Sequence, residues 1–208
     1  MTRAPLVAGM DTADTIAAVE EATTTERSRI GSDKALIAAT GANLEADAIW
    51  AAAATREAGL ANVLDGWTAD TDAIADAFDR AEQAAADRAE RIDATPGDPD
   101  ALSAHLDTVD GIDERVGAGL VAPALVLDRF YLQVVSFFVN EADEGSADVA
   151  RELRSEASDL SPARDALAAF DESGRERARD AAVEAVGVAY EEYASALESM
   201  GLDPKPVC

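Results

Sequence analysis

The 208-residue chain carries 42 acidic side chains against 17 basic ones, a formal charge of −25, with Lys34 and Lys205 its only lysines. That length suits one domain with a substantial core, and the charge excludes binding driven by nucleic-acid phosphates, which needs clustered Lys and Arg. Self-repulsion of this size opposes a compact state at low salt, whereas at 1 M salt the Debye length is about 3 Å; the composition points to the cytoplasm of a salt-accumulating halophile.

Residues 1–10 read as a loose start, without the long apolar run of a signal peptide. Residues 11–39 predict a helix, with Asp11 or Thr12 as N-cap and Ile16, Val19, Ile30, Leu36 and Ile37 as apolar positions. Threonines 23–25 and Gly31-Ser32 weaken its middle, so a bend or a division into two shorter helices is expected there. Residues 44–66 form the second helix, Ala-rich, with Trp50 and Trp67 near its ends. The third runs from a cap at Asp70 or Thr71 to about Asp93 and carries Ile74, Phe78 and Ile92. Pro96, Gly97 and Pro99 stop it. A short helix over residues 100–109 holds the single histidine, His105, before Asp110-Gly111 breaks the chain again.

Residues 120–141, LVAPALVLDRFYLQVVSFFVNE, are too apolar to face water over any large arc. They lie in a central helix over residues 112–142, irregular near Gly117, Gly119 and Pro123, with Phe130, Tyr131, Phe137 and Phe138 as its large side chains. The run is long enough to span a bilayer, but Asp128, Arg129 and Gln133 in its middle argue against lipid. As the core helix, its Phe137→Ala variant should cost about 3–5 kcal/mol, and Phe170→Ala, beside a polar helix end, less. An amphipathic charged helix follows over 143–160, and Ser161-Pro162 signals another start, with Ser161 at the N-cap. A final helix over 173–200 places Val183, Val186, Tyr190 and Leu197 on one side. In it Arg175, Arg177 and Arg179, interleaved with Glu176, form a solvated face. Gly201 ends it, and residues 201–208 are an extended tail. No run has strand period and no repeat of domain-building length occurs. The fold class is all-α: one domain with helices one to three in 11–93, a connecting segment over 94–110, and the central and C-terminal helices over 111–200.

The runs TTTERSRIGSDKALIAATGANLEADAIWAAAATREAGLANVLDGW, AIADAFDRAEQAAADRAERI and FYLQVVSFFVNEADEGSADVARELR, with the tail MGLDPKPVC, resemble a haloarchaeal branch of the rubrerythrin and ferritin-like proteins. The resemblance spans about residues 23–160 and implies a ferritin-like bundle with additional N- and C-terminal helices. Members of the group are sometimes labelled transcription antitermination proteins; no residue here supplies a mechanism for that. In ferritin-like di-iron sites, carboxylates from the bundle helices combine with two Glu-x-x-His pairs, whose spacing projects both side chains from one helix face. This chain has no Glu-x-x-His. Glu57 lies where a ligand belongs but is followed three residues later by Leu60, and the next helix has Ala85 and Arg88 where relatives have the Glu-x-x-His pair. An iron site would have to be all-carboxylate, from Glu57, Glu82, Asp128 and Glu152.

The other chemistry-bearing residues have plain structural readings. Asp128 and Arg129 are expected to pair across helices or at the bundle's edge, His105 to be partly exposed, and Cys208, which cannot form an intramolecular disulfide, to be an exposed tail thiol. Nucleophile motifs, phosphate loops and Cys or His metal clusters do not occur. The expected function is non-catalytic binding or scaffolding without a cofactor. The alternatives are an iron oxidoreductase of the rubrerythrin type and a transcription-associated regulator acting through protein contacts. The expected partner is a protein or a second copy, as a homodimer that hides the aromatic run, with no direct nucleic acid and no membrane.

Overall fold

Helix-forming Ala, Glu, Leu and Arg are frequent in the segments between the Gly and Pro breaks, and local propensity and apolar spacing agree along most of the chain. The computed structural model describes residues 11–205, among which there are helices and turns and no strand. The loose start at 1–10 and the thiol of Cys208 lie outside the described residues.

Asp11 opens α1 (Thr12–Ala22) in a reciprocal capping box, its Oδ1 accepting the Asp14 amide at 2.9 Å while Asp14 accepts from the Asp11 amide. The predicted first helix is divided at both weak points rather than one. Thr23 turns its hydroxyl back onto the Val19 carbonyl at 2.7 Å, separating α1 from α2 (Thr24–Ile30). Residues 31–34 then turn into α3 (Ala35–Thr40), closed by Gly41 in the left-handed region. Helices α4 (Ala46–Asp65) and α5 (Asp72–Arg91) form one antiparallel hairpin. The connecting segment leads to α6 (Ala101–Leu106), capped by Asp100.

The central helix runs unbroken from Ile112 to Asn140, as α7 (Ile112–Val116), a π-turn (Gly117–Val121) and α8 (Ala122–Asn140). The irregularity falls at Gly117 and Gly119, with Pro123 in the first turn of α8 after it. Pro123 has no N–H to give the carbonyl four residues back, and the wider turn shifts the register so that the Ala122 amide bonds Gly117. A Cβ on Gly117 would overlap the backbone of Ala178, and one on Gly119 the ring of Trp67. The two glycines therefore let the turn lie against α11 (Glu172–Ser199) and the end of α4. The helix ends two residues short of the expected limit, with Ala142 at a φ of 57°.

α8 pairs with α9 (Glu144–Ala157) in a second hairpin. Asp143 caps α9, and hydrogen bonds from Ser146 hold its carboxyl below the ordinary aspartate value. At α10 (Ser161–Leu167) Ser161 is the first helical residue rather than a side-chain cap. Its amide and hydroxyl both donate to Asp159, a carboxylate two residues upstream and the stronger acceptor. The 28 residues of α11, about 42 Å at the usual rise, run past α1, α2, α3, α6, α7, α8 and the π-turn and tie the second hairpin to the N-terminal helices. On its arginine face Arg177 is exposed and pairs with Asp113 on α7.

Ile112–Asn140 is long and apolar enough to cross a membrane, and most of its apolar window is buried by other helices of this chain. One continuous core extends from α1 to α11, with Tyr131, Phe78 and Phe138 its largest fully buried side chains. Trp50 stacks on Phe138 at 4.9 Å, and Trp67 meets Phe78 edge-on at 5.3 Å. Alanines at 53, 77, 85, 118 and 182 are fully buried and let the backbones approach. Phe137 is half-buried and packs on Phe138 at 80°, so the deep position belongs to its neighbour. Phe138→Ala is accordingly expected to cost about 3–5 kcal/mol, and Phe137→Ala, like Phe170→Ala, clearly less, by denaturant unfolding in molar KCl. Equal losses for Phe137 and Phe138 would contradict this placement.

Candidate functional site

The buried stripe of α4 runs Ile49, Ala53, Glu57, Leu60, Leu64 at steps of four, four, three and four residues, so helical geometry drives a carboxylate into the core. The stripe of α5 does the same with a cation, through Phe78, Ala85 and Arg88. α8 adds Tyr131, in line with Leu127 and Val134. The three side chains meet inside the bundle. Tyr131 Oη donates to Glu57 Oε1 at 2.8 Å, and Arg88 Nη2 lies 2.8 Å from Glu57 Oε2. The side chains of Glu57 and Arg88 are 0% and 5% exposed. The ion pair is short but not aligned as a hydrogen bond, and Arg88 Nε is buried without any acceptor. Burial, followed by the Glu57 charge and the hydrogen bond to it, pushes the Tyr131 phenol well above its ordinary value. It therefore stays protonated and serves Glu57 as a donor.

The other acids of the all-carboxylate set lie apart from this point. Asp128 is taken by Arg154 of α9, Nε to Oδ1 at 2.9 Å, with Arg129 3.5 Å away. Glu82 is half-buried on α5, and Glu152 is exposed on α9. Among the described residues no three His, Cys, Asp or Glu side chains are grouped to hold a metal ion. His105 is half-buried on α6.

Clefts of two sizes beside α4 bear on its chemistry. The larger, about 340 Å³, lies between α3, α4, α8, α11 and the connecting segment. Thr55 receives the Gly97 amide at 2.7 Å, and Glu192 receives the Ala101 amide at 3.0 Å. Arg56 lies 4.4 Å above the Phe130 ring and 4.0 Å from Asp100. Tyr193 holds Ser32 and the Pro204 carbonyl. These polar groups secure the crossing segment and the tail to the bundle. The smaller cleft, about 150 Å³, opens at the π-turn between α5, α8, α9 and α10, with Arg88 in its wall.

Sequence reasoning placed Glu57 at an inward position and noted Arg88, but missed that the two pair and that Tyr131 completes the set. The signal was present in the stripes, where 88 follows 85 by three and 131 precedes 134 by three. No protein-family model matches this chain, and neither a curated protein nor a solved structure matches it.

Tyr131→Phe removes the one neutral donor to Glu57 and keeps the ring, so it should destabilise the protein by about 1.5–3 kcal/mol. Tyr193→Phe, which loses two part-buried bonds to neutral groups, at Ser32 and the Pro204 carbonyl, should cost less, about 0.5–1.5 kcal/mol. Urea unfolding of both variants makes the comparison; the reverse order would mean that Glu57 does not depend on Tyr131.

Proposed function

We propose that this chain is a ferritin-like helical bundle from the cytoplasm of a halophile, acting as a non-catalytic binding or scaffolding protein. Its partner is a second copy or another protein, with no membrane and no direct nucleic acid. The observation that carries the reading is the guanidinium of Arg88 beside Glu57. A resident metal ion would have to sit against that positive charge in a medium of low dielectric, where like charges repel far more strongly than in water. Of the other acids, Asp128 is bonded to Arg154, Glu152 faces solvent, and Glu82 is not grouped with Glu57. The charge of −25 supports the halophilic part of the reading through its need for screening.

Metal analysis of protein purified in molar KCl and dialysed against a chelator tests this reading. The expected result is no stoichiometric iron or manganese, with helical circular dichroism lost as KCl falls to about 0.1 M. Stoichiometric iron retained through dialysis would overturn the metal-free reading in favour of a carboxylate-bridged metal site, and dichroism unchanged by salt would remove the halophilic part.

A further inference from the structure

We infer that the smaller cleft, at the π-turn, binds the carboxylate of a small organic acid with a short apolar chain, and that Arg88 is its recognition residue. The inference rests on the metal-free reading above, since it assigns Arg88 to a ligand.

Arg88 has more donors than acceptors around it. A guanidinium presents five N–H donors and no acceptor, yet Arg88 has one ion-pair contact, poorly aligned, and its Nε has no acceptor although its side chain is 5% exposed. An unfilled donor at that depth costs free energy that a bound acceptor recovers. The space for one adjoins it: Arg88 lines a cleft of about 150 Å³ with Leu60, Leu120, Pro123 and Leu127, and the exposed Arg80, Glu156 and Asp159 that also line it are already paired with Asp165, Arg91 and Ser161. Arg88 is the buried charge of that lining, and a buried cation beside apolar side chains matches a molecule with one anionic end and a hydrocarbon remainder. The volume admits a handful of non-hydrogen atoms, which sets the chain length as short.

The π-turn contributes the shape. Gly119, in that turn, also lines the cleft, and a Cβ there would strike Trp67. Such turns interrupt helix regularity at a cost and recur at functional sites. The larger cleft is the weaker candidate, because Thr55, Asp100 and Glu192 already hold the connecting segment there.

Ligand-observed NMR on the full chain in molar KCl provides the test, with butyrate as probe and butyramide and butylammonium as isosteric controls. Butyrate should bind saturably and at least about tenfold more tightly than either control, as expected for a charge-assisted pair. Arg88 variants risk unfolding, so the key variant is Ala84→Leu, which fills the cleft from an exposed position on α5. It should lower butyrate affinity at least about tenfold with the melting temperature unchanged. Butyrate that fails to saturate, butyramide that binds equally well, or full affinity in Ala84→Leu would each overturn the assignment. Metal-free protein that ignores butyrate sinks this inference alone, whereas iron-loaded protein sinks the reading beneath it.

Discussion

A carboxylate with no exposed surface, Glu57, stands in the middle of the α4 core stripe. An ion in that position loses several kcal/mol of hydration and is tolerated only where a counter-charge and hydrogen bonds replace the water. Arg88 supplies the first and Tyr131 the second. Each comes from a different helix, so the requirement fixes the rotation of α4, α5 and α8 about their axes together. A purely alanine and leucine interior would leave those rotations to packing among small, similar side chains, which distinguishes alternatives weakly.

The close approach of these helices has a second source. Fully buried alanines lie along α4, α5 and α11, and Gly117 and Gly119 remove the last obstacles where the central helix meets α11 and Trp67. Small residues give up contact area per side chain, and the large aromatics compensate at two places. Trp50 on Phe138 fills one end of the α4–α8 interface, and Trp67 on Phe78 closes the end of the α4–α5 hairpin. Arginine does the remaining long-range work on a surface crowded with acids: Arg154 reaches Asp128 and Arg177 reaches Asp113. Each places a planar, multidentate cation between helices.

The all-α class, the breaks at 96–99 and 110–111, the cap at Asp11 and the irregular turn at Gly117, Gly119 and Pro123 were all legible in the sequence, because each rests on local backbone chemistry. Three features depend on a competing acceptor or on the exact register, and were not. Ser161 looked like a cap until Asp159 proved to take its amide and hydroxyl. Phe137 and Phe138 are equivalent by composition, and only the step of four from Val134 assigns the second to the core. Arg88, in a helix full of charges, reads as surface unless the α5 stripe is followed through Ala85. Of the four carboxylates considered together as a metal set, Glu57 is the one in the core, and what it meets there is a cation and a phenol.

The dependence of the fold on this buried pair is open to direct measurement by a double-mutant cycle of unfolding free energies in molar KCl, with Glu57→Gln and Arg88→Met. The amide introduced by Glu57→Gln would keep an acceptor for Tyr131, so the cycle isolates the charges. Each single variant leaves the other charge uncompensated and should cost about 3–5 kcal/mol, whereas the double variant should recover about 2–3 kcal/mol of the summed loss. Losses that add to within about 0.5 kcal/mol would contradict the account, since Glu57 and Arg88 would then be independent of one another.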